Sequence, residues 1–187
     1  MKKFILFFLV VFALPSCKKD NVNTAVGTII GGGIVFHIWQ DASGREHGLI
    51  ASLDDLSPEA WSNVTELIGG AAQDPINGQA NTTGIISQTT HTKSAALLCD
   101  NYNNDGFSDW YLPSTWELKL LYDNAYTINT VLSNDANPAT NGFGYVAYYW
   151  SSNEWGADDS WALNCFNNTW EYRVKTSVAR VRAIRKF

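Results

Sequence analysis

Asp109-Trp110-Tyr111-Leu112-Pro113-Ser114-Thr115-Trp116-Glu117-Leu118, residues 109–118, is the stretch on which the reading of the fold turns. Ser114 with Glu117 three positions on forms a capping box, in which each side chain satisfies a backbone N–H at the start of a helix. Pro113 stands just before it, and Leu118, Leu120, Leu121 and Tyr122 follow on helical spacing. The pattern predicts an amphipathic helix that must bury one face against another element.

The flanking sequence supplies that element. Upstream, Ile34 to Trp39 is β-branched and aromatic, Asp41-Ala42-Ser43-Gly44 is a turn, and His47 to Ser52 completes a hairpin. Residues 54–90 are rich in Gly, Asn, Asp and Thr and read as loops with one helical turn. Thr92 to Tyr102 reads as a helix, with Ala95, Ala96, Leu98 and Cys99 at three- and four-residue spacings. Downstream of a polar loop over 133–144 come four short strands: Val146 to Ser151, Ser160 to Phe166, Trp170 to Lys175 and Val178 to Arg185. In the last, Ala179, Val181 and Ala183 point one way and Arg180 and Arg182 the other. Two helices beside a mostly antiparallel sheet make an α+β domain with long loops.

The N-terminus has a different character. Lys2 and Lys3 precede an apolar run of 11 residues from Phe4 to Leu14. A bilayer-spanning helix needs about 20 such residues, so the run fits the core of a secretion signal. Leu14-Pro15-Ser16-Cys17 resembles the box cleaved by lipoprotein signal peptidase. The expected organisation is a leader over 1–16, a lipidated tether over 17–26 beginning at acylated Cys17, and a domain over 27–187. Lys18 is not the aspartate associated with inner-membrane retention. An outer-membrane lipoprotein facing the periplasm or the cell surface is therefore expected.

With 13 basic and 18 acidic residues the formal charge is −5, and losing Lys2 and Lys3 makes it −7. Nucleic acid is an unsuitable partner, since phosphate neutralisation needs clustered Lys and Arg. Four of the five arginines, Arg173, Arg180, Arg182 and Arg185, nevertheless crowd the last 15 residues. Eight Trp, eight Tyr and nine Phe exceed what display alone would require, so part of this aromatic set builds the core. Cys99 and Cys165 admit two readings, a disulfide suited to an oxidising compartment or two buried apolar thiols. No zinc spacing joins His37, His47 and His91, and no phosphate loop or nucleophile elbow is present.

Asp109-Trp110-Tyr111-Leu112-Pro113-Ser114, then Tyr149-Trp150-Ser151-Ser152 with Glu154, Ser160-Trp161, Phe166, Lys175 and Val181-Arg182-Ala183-Ile184-Arg185, resemble in order and spacing the Lcl C-terminal domain family. The resemblance extends to Gly32-Gly33-Ile34-Val35-Phe36 and His47-Gly48-Leu49-Ile50-Ala51. It implies a divergent C-type-lectin-like fold and an adhesin-like role; the namesake domain binds glycosaminoglycans, which the acidic balance here disfavours. The formylglycine-generating enzymes share the broader fold, but Cys99 and Cys165 do not match their close cysteine pair, so no enzyme is expected.

Glu154, Trp155, Asp158 and Asp159 form a polar-aromatic rim at a strand end, and with Trp170 they are the candidate ligand-binding residues for a glycan or a protein. A structural lipoprotein whose arginine-bearing last strand docks an envelope protein is the other reading. Asn101, Asn103, Asp105 and Asp109 alternate as oxygen ligands around Gly106, as in a calcium loop. Leu112 stands where the bidentate glutamate is needed, so a plain turn competes with a partial calcium site, and no other cofactor is expected.

Overall fold

β-branched and aromatic residues favour pleated, half-buried backbone, and they place two long strands early in the chain. In the computed structural model, which describes residues 24–187, these are β2 (Gly33–Gln40) and β3 (Glu46–Ser52). The leader, Cys17 and the first part of the tether lie outside the described residues. The short β1 (Ile29–Ile30) precedes the hairpin, and β9 (Ile184–Lys186) closes its other edge, giving the order β1-β2-β3-β9. Gly48 and Phe187 exchange backbone hydrogen bonds, so the C-terminus is bound to the hairpin.

The second sheet has the order β4-β8-β5-β6-β7, formed by β4 (Leu56–Ala60), β5 (Tyr148–Glu154), β6 (Asp159–Asn164), β7 (Thr169–Val174) and β8 (Val178–Val181). All its pairings are antiparallel except β5 with β8. The molecule is α+β with mostly antiparallel sheets, as the pattern of elements predicts.

There are four α-helices among the described residues rather than two: α1 (Gly78–Ile86), α2 (Ala95–Asp100), α3 (Thr115–Asp123) and α4 (Ala125–Leu132). The capping box at α3 forms as expected. The helix anticipated from Thr92 begins later, because Ser94 accepts a hydrogen bond from the Leu97 N–H and caps it there.

Residues 54–90 are the main correction. They hold β4, a 3-10 turn over Gly69–Ala72, and α1. β4 contains Pro58, which an edge strand tolerates because its outer N–H needs no partner. α1 carries two glycines that lower its propensity, yet both are places of close approach. A Cβ on Gly84 would lie 2.2 Å from the Ala71 carbonyl oxygen, and one on Gly78 would lie 2.5 Å from the Glu117 carboxylate. Tertiary contact overrides propensity here.

The strand predicted over 178–185 is broken into β8 and β9, which join different sheets. Its alternation therefore fails at Arg182, whose side chain is fully buried while Arg180 stays exposed. Two core clusters result. One packs Phe36, Leu49, Tyr149 and Leu163 against α3 and α4. The other gathers Val35, Ile50, Trp61, Trp110 and Trp150.

Candidate functional site

β6 and β7 pair with Trp161 opposite Tyr172 and Leu163 opposite Trp170, so these four side chains share one face. Leu163 reaches the core, Trp170 packs partly against it, and the two rings beyond it emerge toward solvent. Trp155, from the turn after β5, completes the group. Its ring meets Trp161 edge-on at 4.9 Å and lies nearly parallel to Tyr172 at 6.1 Å. Trp155 is 54% exposed and Tyr172 61% exposed. This is an aromatic platform held by strand pairing.

Beside it opens a cleft of about 320 Å³ lined by Gln73, Pro75, Thr115, Asn153, Glu154, Trp161 and Trp170. Asn153 is held in place, accepting from the Thr115 N–H at 2.8 Å and donating to the Asp74 carbonyl at 2.9 Å. Gln73 is exposed, and its side-chain amide has no hydrogen-bond partner among the described residues. Two indole walls and one free amide can take an apolar ring face carrying hydroxyls at its edge.

Of the candidates read from sequence, Trp155 and Trp170 are brought to this surface. Asp158 lies on the turn between β5 and β6 and Asp159 opens β6; neither lines the cleft. Glu154 requires correction as a ligand-binding carboxylate. Its side chain is fully buried; it forms a 2.6 Å ion pair with Lys175 and accepts the N–H groups of Ile68 and Gly69. The carboxylate anchors a loop and has no free oxygen to offer. Trp161, on β6 and not among the residues read from sequence as ligand-binding, is half-buried and walls the cleft. Gln73, Pro75 and Thr115 carry no sequence signal, because only the tertiary fold brings them beside β6.

The model of the Lcl C-terminal domain matches residues 51–185. The chain belongs to the Lcl C-terminal domain family. No curated protein is significantly similar to it. A crystal structure of a fimbrial protein from Bacteroides ovatus ATCC 8483 is similar in fold, with a TM-score of 0.62 and 17% identity. The match covers 88% of this chain and 45% of that one, so the chain spans under half the length of the fimbrial chain.

Several residues that mark this Lcl C-terminal domain in sequence have structural tasks. Asp55 receives Arg180 and Arg182, each at 2.9 Å, together with the Tyr149 hydroxyl at 2.8 Å. Arg185 grips Asp109 through Nε at 2.6 Å and Nη2 at 2.9 Å. Arg182 and Arg185 are therefore engaged inside the domain, and Arg180, though exposed, is paired with Asp55, so these three are not unpaired cations offered to a docking partner. Arg173 alone among the four C-terminal arginines forms no ion pair and no side-chain hydrogen bond among the described residues; its guanidinium lies 4.1 Å from the Tyr148 ring centroid.

The same Arg185 bears on the segment 101–112 that resembles a calcium loop in sequence. Its guanidinium holds the Asp109 carboxyl below the usual range and occupies both oxygens. Asn101 ends α2, and Asn104 to Phe107 closes as a tight turn with positive φ at Asp105 (52°) and Gly106 (79°). Those angles belong to the type I′ turn, for which Asp-Gly is a favoured pair. Millimolar calcium is expected to leave the melting temperature unchanged in differential scanning fluorimetry. A rise of several degrees would restore the loop as a metal site.

The disulfide reading is also corrected. Cys99 and Cys165 are free and sit in different core clusters. Burial pushes the Cys99 thiol well up and that of Cys165 to about 12. Neither sulfur is poised for oxidation or attack.

Proposed function

We propose that this Lcl C-terminal domain is a non-catalytic binding module, divergently C-type-lectin-like, that recognises an uncharged glycan. The observation that carries this reading is the cleft between Trp161 and Trp170 with the exposed Trp155–Tyr172 stack beside it. Indole faces bind the C–H faces of sugar rings, and the Gln73 amide can both donate to and accept from a hydroxyl. A net charge of −5, or −7 once the leader with Lys2 and Lys3 is removed, opposes sulfated or otherwise polyanionic chains. The module is presented from the outer membrane by acylated Cys17, facing the periplasm or the cell surface. The fold shared with a fimbrial protein supports the surface-facing arrangement.

The full chain in mild detergent, applied to an array of neutral, acidic and host glycans, tests this. Binding to neutral glycans is expected, with Trp161→Ala and Trp170→Ala each weakening it about tenfold or more, the loss of one good anchor. Silence across the array, with co-purification of an envelope protein, would replace the glycan with a protein partner.

A further inference from the structure

β7 is an edge strand, and its outer backbone is open. The Lys175 N–H donates to the Asp158 carbonyl at 2.8 Å, which makes 158 and 175 a hydrogen-bonded pair in the β6–β7 register. Antiparallel ladders alternate, so Arg173, Glu171 and Thr169 bond inward to β6. Trp170, Tyr172 and Val174 therefore direct their N–H and C=O groups outward. Among the described residues, only the Val174 carbonyl of this outer set is engaged, by the Ser177 N–H. These six residues carry no proline and no bulge, so the edge is guarded only by the charges of Glu171 and Arg173.

We infer that β7 pairs antiparallel with β7 of a second copy of this chain, about a twofold axis through Tyr172. Charge selects that register. Outward residues must face outward residues, so successive registers shift by two. With Tyr172 opposite its own copy, Glu171 faces Arg173 and Arg173 faces Glu171, giving two attractive pairs in closely approaching non-hydrogen-bonded positions. One step to either side sets Glu171 against Glu171 or Arg173 against Arg173. Arg173, which forms no ion pair among the described residues and acts on the Glu171 carboxylate of its own chain only at longer range, gains a facing carboxylate, and its buried, unpartnered Nε gains an acceptor. Trp170 then lies opposite Val174 on the other face. The two five-stranded sheets become one of ten strands. Opposed residues share a face, so both Trp155–Tyr172 platforms point the same way and the clefts act bivalently on one surface.

The full chain in mild detergent, read by sedimentation velocity, is expected to be a dimer. Glu171→Arg and Arg173→Glu should each weaken dimerisation roughly tenfold or more, since each sets like charges opposite twice. The double swap Glu171→Arg/Arg173→Glu should restore the dimer, which separates a lost interface from a misfolded chain. Under mild oxidation Tyr172→Cys should crosslink to itself beyond the baseline of the parent cysteines, because facing Cα atoms lie about 5.5 Å apart. Val174→Cys should not crosslink to itself, but should do so in a mixture with Trp170→Cys. A monomer at all concentrations, a dimer indifferent to both charge reversals, or Val174→Cys joining to itself would overturn the pairing. So would Tyr172→Cys crosslinking only to a different protein. None of these readouts depends on a glycan, so the dimer and the glycan reading fail separately.

Discussion

Truncating Glu154 to alanine is expected to destabilise the domain by about 3–5 kcal/mol, the range for removing one partner of a buried ion pair. Both side chains of the Glu154–Lys175 pair are wholly shielded, with Nζ 2.6 Å from Oε1. The Lys175 ammonium also donates to the Glu66 carbonyl at 3.2 Å and lies 5.1 Å from the Trp61 ring centroid, so it is fixed where water cannot reach it. Without Glu154 it becomes an uncompensated charge in the interior. The Ile68 and Gly69 N–H groups lose their acceptor at the same time, releasing the start of the 3-10 turn. That loss is a large share of a domain stability of about 5–15 kcal/mol. Urea unfolding would measure it. Glu154→Gln/Lys175→Met, which removes both charges, should cost clearly less than Glu154→Ala. A loss below about 1 kcal/mol for the single variant would show that the pair is hydrated or dispensable.

The second large effect is expected at Glu117. Its buried Oε2 accepts the N–H of Ser114 at 2.9 Å and of Gly78 at 3.0 Å, while Oε1 accepts the Tyr111 hydroxyl at 2.9 Å. Burial and the adjacent carboxylate hold the Tyr111 phenol far above its ordinary pKa, so the hydroxyl remains a donor. Glu117 thus caps α3, joins the first turn of α1 to it, and satisfies a core tyrosine. Alanine would strand these donors, at about 1–3 kcal/mol for each one left buried. A total near 3–4 kcal/mol is expected after partial relaxation, against about 1 kcal/mol for Ser114→Ala, which loses only one cap bond. Chemical denaturation of the two variants checks the order. Equal losses would mean that Glu117 acts only as a cap.

Glu117 shows how far the sequence can be read. Its place in the capping box follows from spacing alone, since Ser114 and Glu117 are three residues apart on one turn. That the same carboxylate receives Gly78, 39 positions away, does not. Glu154 shows the converse. Its position among small and polar residues at a strand end suggests a ligand site, whereas the fold brings Lys175 onto it and closes both from solvent. A single sequence carries no signal for that partnership beyond the presence of both residues.

The N-terminal leader pattern, the acidic balance, the hairpin, the α3 cap and the family are legible in the chain itself. Each rests on neighbours within a few positions, on composition, or on the order of short phrases. The cleft, the buried ion pairs, the split of the last strand between two sheets and the helix in 54–90 were decided only by tertiary structure. They depend on long-range contacts that override local preference: Trp170 opposite Leu163, Arg182 on Asp55, Gly84 against Ala71. Local rules specify which segments are strands or helices; packing selects which side chains remain free to meet a ligand.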